Sequence, residues 1–253
     1  MPSRRAFLSS ALAAVSGEYD AANIKLSHRM PIRNMTDDDL LFLQQLGIKW
    51  ARIEFGNTAP FDYMKATVER LKRFDMKIYS AVNYVYRKTR LQLGQAGRDQ
   101  DIDVFNRFLT DCGTLGIPVV NIDWHPANTY TTAEVMTPRG YKAREFSVDD
   151  FRNKVEKQAF ERVYTADDIW SSYAYFIKAV LPVAEKADVK LALHPDDPPL
   201  AMMNGVAKVL VHYDGYKKAE EIAGGSKHWG LTFCVGTWAE GGDKMGKNVF
   251  EMI

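Results

Sequence analysis

From residue 23 onward the chain alternates two hydrophobic patterns. Short runs at 23–29, 50–55, 77–82, 119–123, 190–194 and 230–234 read as strands. Longer segments between them carry apolar residues at helical spacing. Thr36 to Asp39 resembles a capping box, with Leu40, Leu43 and Leu46 behind it and Gly47 as a stop. Pro60 opens a helix with Phe61, Met64, Val68 and Leu71 in register. A helix over 101–115 places Phe105, Phe108, Leu109 and Cys112 on one face. Ile169, Tyr173, Phe176, Ile177, Val180 and Ala184 predict a strong helix, and further helices are expected near 214–223 and from 244 onward. Residues 125–165 form a long polar stretch with Pro126, Pro138 and Gly140, the kind of loop that is usually functional or disordered.

Strand–helix alternation predicts a parallel sheet. A dinucleotide-binding doubly wound sheet would place a glycine-rich turn after its first strand. The turn here is Ser27-His28-Arg29-Met30-Pro31, without glycine, so a TIM-type (β/α) barrel is the expected fold. Within the strands, successive side chains point to opposite faces. Arg52 and Glu54 oppose Ile53 and Phe55, and Ala81 and Asn83 oppose Ile78 and Val82. Asn121 and Asp123 oppose Val120 and Ile122, Ala192 and His194 oppose Leu191 and Leu193, and Thr232 and Cys234 oppose Leu231 and Phe233. The apolar face suits outer helices, and the polar face would gather at the C-terminal mouth where barrel active sites lie.

Composition narrows the class. The 253 residues are 46% hydrophobic and 26% charged, with a formal net charge of +1, as in one globular α/β domain. No concentrated basic face argues for nucleic acid, and no apolar run is long enough for a spanning helix. Two cysteines are too few for a disulfide scaffold. Ser3-Arg4-Arg5-Ala6-Phe7-Leu8, followed by Ala11 to Val15, resembles a twin-arginine export signal over residues 1–20, which leaves 21–253 as the folded domain. That segment implies a periplasmic protein, with a cytoplasmic one as the alternative.

His194 and Cys234 end consecutive expected strands on the same face. Neighbouring strands lie about 4.8 Å apart, so the two side chains can share one divalent metal. A satisfied core histidine beside an inert thiol would give the same spacing. The residues after His194, Pro195-Asp196-Asp197-Pro198-Pro199, place two carboxylates at the mouth and stiffen them with prolines. Asp196 and Asp197 are candidates for proton transfer or positioning, as is Asp123, although a turn-forming role fits each aspartate too. Arg52, Arg144 and Arg29 are candidates for pairing with a substrate carboxylate, and structural ion pairs fit them equally. His125 follows Asp123-Trp124 at a strand end and is a further candidate at the mouth. The aromatic residues Trp170, Tyr173, Tyr175 and Phe176 read as helix packing.

Leu193-His194-Pro195-Asp196-Asp197-Pro198-Pro199, with Gly230-Leu231-Thr232-Phe233-Cys234, resembles the mannonate dehydratase family. Weaker similarity runs from the first strand through Asp123-Trp124 and the helix at 169–184. The resemblance implies a xylose-isomerase-like TIM barrel. It implies a divalent metal, usually Mn2+, with Fe2+, Co2+ or Mg2+ as alternatives, bound by His194 and Cys234. It also implies loss of water from D-mannonate to give 2-keto-3-deoxy-D-gluconate, so that a small sugar acid is the expected partner. The family continues through a seventh and an eighth strand that carry a second histidine and an aspartate of the metal site, and these have no counterpart in the 253 residues. The expected structure is therefore about six of the eight βα units of a TIM barrel. Its unpaired edges would favour association, with a homo-oligomer as the expected form, and its activity alone would be weak or absent. A sugar isomerase or epimerase on the same barrel, or an inactive relative that only binds a sugar acid or a partner chain, are the alternatives.

Overall fold

The computed structural model describes residues 25–253. The signal-like segment and the start of the first expected strand lie outside the described residues. The chain runs through β1 (Ser27–Met30), α1 (Asp37–Gln45), β2 (Trp50–Gly56), α2 (Phe61–Lys72), β3 (Lys77–Asn83), α3 (Arg98–Thr114) and β4 (Val119–Asp123). A hairpin of β5 (Ala133–Met136) and β6 (Lys142–Glu145) follows, then α4 (Ala166–Lys186) and β7 (Lys190–His194). The two-residue strands β8 (Met202–Met203) and β9 (Val206–Ala207), then α5 (Tyr213–Ile222), β10 (Trp229–Leu231) and α6 (Val235–Gly241), complete the main elements, with single turns of helix between.

Six strands form one sheet in the order β1-β2-β3-β4-β7-β10, and every neighbouring pair is parallel. Each new strand is added on the same side of the last. The order never reverses, so the sheet has no switch point of the doubly wound kind. It winds as a barrel does but stays open, since β1 and β10 each pair with one strand.

Local chemistry sets the elements. Thr36 accepts from the Asp39 amide while the Asp39 carboxylate accepts from the Thr36 amide at 2.8 Å, so the expected capping box is present. Thr165 and Asp168 build a second capping box at the start of α4. In β2, Ala51, Ile53 and Phe55 are fully buried under helices, whereas Arg52 and Glu54 face the inner side. Phe55, Phe105, Phe108, Phe176 and Trp124 interlock as tilted and edge-on rings between sheet and helices. Each such buried ring contributes about 1.5–3 kcal/mol.

Three expectations need correction. In β3, the partner of β2 jumps from Ile78 to Ser80 between Ala51 and Arg52, so the strand bulges. The bulge reverses the faces from Ser80 to Val82, and a second shift between Glu54 and Gly56 sets Asn83 beside Gly56, back on the face that alternation expects. Ala81 then stands beside the outward Ile53, and Val82 beside the inward Glu54, opposite to uniform alternation. The sixth strand is also shorter than expected, because β10 ends at Leu231. Thr232 still donates its amide to the Leu193 carbonyl, and Cys234 then caps α6, a helix that begins well before the expected one. Finally, the stretch 125–165 is structured. It contains the β5–β6 hairpin, whose register pairs Glu134 with Arg144.

Tyr173 and Phe176 are buried as expected of helix packing. Tyr175 is instead half-exposed, with the Arg98 guanidinium over its ring and its hydroxyl donating to Asp99.

Candidate active site

The C-terminal ends of the strands open onto a cavity of about 250 Å3, room for about eight waters. Register explains what meets there. Asp123 on β4 lies beside His194 on β7, and Asn121 donates to the Thr232 hydroxyl at 2.7 Å across the same inner face. Arg52 and Glu54 enter from β2. The 3-10 turn Tyr84–Arg87, directly after β3, brings Tyr84, Tyr86 and Arg87, and the long β4–α4 segment brings His125, Tyr130 and Arg144.

Asp123 is the hub of the cavity wall. It is 4% exposed. Its carboxylate accepts from the Tyr86 hydroxyl at 2.7 Å, from Arg87 Nε at 2.9 Å and from the Arg87 terminal nitrogen. His125 Nε2 lies 3.0 Å from the same carboxylate. Burial works to raise the Asp123 pKa, but His125 and Arg87 outweigh it and hold the group well below the carboxylate range. Behind it, Gln92 donates to the Asp123 carbonyl at 3.1 Å, Ser172 to the Gln92 carbonyl at 2.6 Å, and the Trp124 indole to Ser172 at 3.3 Å. This buried chain ties the end of β4 to α4 and fixes where the carboxylate stands.

His125 has a polar contact on each side. Its Nε2 is 2.7 Å from the Tyr130 hydroxyl, and its buried Nδ1 has no hydrogen-bond partner but lies 4.0 Å from Asp196 Oδ1. Asp196 is fully buried, and its other oxygen accepts from the Leu210 amide at 2.8 Å. Burial raises its pKa, against the pull of the nearby Lys208. Lys208 is itself 4% exposed, donates to the Pro126 carbonyl, and is pushed down by burial to about 8.

His194 ends β7, and Cys234 approaches it from the N-cap of α6 rather than from the end of a strand. Their side chains interact, each shifting the proton affinity of the other. That contact with His194, aided by Thr237 donating at 3.2 Å, overcomes burial and lowers the thiol to about 7. Burial pulls His194 down, but the sulfur and the Pro195 carbonyl, 2.8 Å from Nδ1, hold it above its ordinary value. An imidazole and an easily ionised thiol are a fitting nitrogen–sulfur pair for a divalent ion. Among the described residues no group of three or more His, Cys, Asp or Glu side chains has metal-holding geometry, so these residues supply two candidate donors and not a full ligand set.

Of the other expected residues, Asp197 lines the cavity and Asp196 does not. Arg52 lines it with a buried, unpartnered Nε. Arg144 reaches the rim from the exposed hairpin and also borders a second, outer cavity of about 740 Å3 with Asp197, Glu240 and Lys244. Arg29 forms an ion pair with Glu54 at 2.5 Å. Sequence reasoning missed Tyr86, Arg87, Tyr130 and Lys208. The position of Tyr84-Val85-Tyr86-Arg87 immediately after a strand end was an available signal. So was Lys208 alone in the apolar run Val206 to Leu210.

With this geometry in place, comparison with known proteins is informative. Residues 144–253 match the family profile described as D-mannonate dehydratase (UxuA). A mannonate dehydratase of Streptococcus pneumoniae (strain 70585) is 26% identical over 176 residues, which cover 59% of this chain and 47% of that protein. The chain thus spans about half the length of such relatives. The crystal structure of mannonate dehydratase from Streptococcus suis serotype 2 superposes with a TM-score of 0.75 at 23% identity, over 86% of this chain and 66% of that one. A xylose isomerase-like TIM barrel protein from Mycobacterium smegmatis superposes with a TM-score of 0.52 at 11% identity, over 87% of this chain and 67% of that one. Over part of its length the chain is similar in sequence to mannonate dehydratases, and its fold is an α/β barrel-type sheet of six parallel strands that stays open.

Proposed function

We propose that this chain carries out the dehydration of a sugar acid, with D-mannonate as substrate and 2-keto-3-deoxy-D-gluconate as product. The observation that carries the reading is that His194, which interacts with Cys234, lines one cavity with Asp123, Arg87, His125 and Tyr130 on the C-terminal side of a parallel sheet. The names of the relatives supply the substrate class.

The residues divide the work. Arg52, with its unpartnered buried Nε, and Arg144 at the rim are placed to receive a carboxylate, which guanidinium binds in a paired fashion. Asp123 has every donor around it engaged, so its role is to anchor Arg87 and His125 rather than to take a proton. Asp197 is the other aspartate on the cavity and is the candidate base for the C–H beside the substrate carboxylate. His194 and Cys234 would hold a divalent ion, manganese or a similar metal, whose positive charge stabilises the enediolate-like charge formed when that proton leaves. Loss of the hydroxyl from the next carbon then gives an enol that rearranges to the 2-keto acid.

The test is formation of keto acid from D-mannonate by the purified chain, with and without added divalent metal. The expected result is metal-dependent turnover that is lost in His194→Ala/Cys234→Ala. Because two donors hold an ion more weakly than a full set, saturation is expected only with metal in excess. Absence of keto acid at saturating metal overturns the reading.

A further inference from the structure

The hydrogen bonds around His125 decide which way a proton at Tyr130 points. His125 Nε2 faces two oxygens, Asp123 Oδ1 at 3.0 Å and the Tyr130 hydroxyl at 2.7 Å. Asp123 is held ionised, so a bare Nε2 would set a lone pair against a carboxylate. Nε2 therefore carries a hydrogen, which it donates to the Tyr130 oxygen at 2.7 Å. The phenol oxygen accepts from that N–H, so the phenol's own hydrogen cannot be given to Nε2. Its own hydrogen is left to point into the cavity that Tyr130 lines with Arg87, Arg144, His194 and Asp197.

We propose that Tyr130 is the catalytic acid that protonates the departing hydroxyl, and that His125 is the positioning residue that keeps the phenol's hydrogen aimed at the substrate. This rests on the dehydratase reading above and assigns it an acid. In the step, the C–O bond breaks with its electron pair on oxygen, which takes the Tyr130 proton and leaves as water. The electron pair left by the removed C–H proton becomes the new C=C bond. The phenolate is held by the Nε2–H of His125 and regains a proton from solvent, to which Tyr130 is open at 41% exposure. Burial and the Asp123 charge raise Tyr130 to about 12, against the opposing pull of Arg87, so it keeps its proton through the neutral range.

Two measurements on the full chain test this. Nitrogen-15 NMR of the His125 ring at neutral pH is expected to show a protonated Nε2, whether or not substrate turns over, and a bare Nε2 overturns the proposal. Tyr130→Phe is then compared with wild type for two rates on D-mannonate in heavy water: keto-acid formation, and exchange of the hydrogen beside the carboxylate. Keto-acid formation is expected to fall by about 10²–10⁴-fold while exchange persists. His125→Leu should show the same split, with partial rescue in His125→Gln, which keeps an N–H donor. Unchanged keto-acid formation in Tyr130→Phe, or equal loss of both rates, overturns the role of Tyr130 and leaves the dehydratase reading standing. A wild-type chain that neither exchanges nor eliminates overturns that reading, and the role of Tyr130 with it.

Discussion

Replacing Asp123 by Asn tests whether the cavity wall is a buried charge cluster. The substitution keeps the shape, removes the charge and turns one acceptor into a donor. The Tyr86 hydroxyl, 1% exposed, and His125, 6% exposed, then face an N–H in place of an oxygen or a weakened acceptor. A buried group left without its partner costs about 1–3 kcal/mol, and a hydrogen bond to a charged group is worth about 1.5–3 kcal/mol. Arg87 is 40% exposed and can turn towards water, so its share is discounted. The expected loss is about 2–4 kcal/mol. In urea, with a slope of about 3 kcal/mol per molar for a chain of this size, the midpoint should fall by about 1 M. Tryptophan fluorescence reads this directly, since Trp124 adjoins the substituted residue. The pH dependence has a fixed sign. Asp123 has a folded pKa below its unfolded value, so its contribution is present above about pH 4 and is lost as pH falls towards the depressed value. The difference between wild type and Asp123→Asn should therefore shrink between about pH 5 and pH 3. A loss under about 0.5 kcal/mol, or a difference that widens on acidification, would refute the buried-cluster account.

Two further outcomes follow from the same cavity. In chain stripped of metal with a chelator, alkylation of Cys234 should be half-maximal near pH 7 and should move towards the ordinary thiol range, about 8.5, in His194→Ala; a midpoint indifferent to His194 would sink the pairing. Cys112, fully buried, should stay unmodified in the folded chain. Arg52→Met should raise KM for D-mannonate about tenfold or more with little change in kcat, because it removes a charged contact made equally before and during the reaction; a fall in kcat at constant KM would exclude that role.

Much of the fold can be read in the sequence because one rule, alternating faces on parallel strands, governs most of it. Arg52, Glu54, Asn121, Asp123 and His194 share the inner face because each lies two residues from the next on its strand, or beside its counterpart on the neighbour. The rule breaks where backbone register departs from a count of two. The β3 bulge is such a place, and nothing in Lys77-Ile78-Tyr79-Ser80-Ala81-Val82 marks it, since every residue there suits either face. Cys234 is another. It reaches His194 although the strand has ended, because the chain turns into α6 at that residue.

The site is less legible for a related reason. Alternation says which way a strand residue points, but not which loop residue will fold back to meet it. Arg87 and Tyr86 are four and three residues beyond β3, in a 3-10 turn, and only that turn directs them to Asp123. Tyr130 reaches His125 across five positions of irregular chain, in a segment whose length alone argued for function. The doubled aspartate shows the limit most clearly. Asp196 and Asp197 are indistinguishable by type and position at the end of β7, yet one is fully buried and caps the Leu210 amide while the other lines the cavity. What separates them is the returning segment around Lys208 and Leu210, which covers Asp196 and supplies its donors. The chemistry of adjacent, identical residues is thus assigned by the segment that packs over one of them, and local sequence carries no record of that choice.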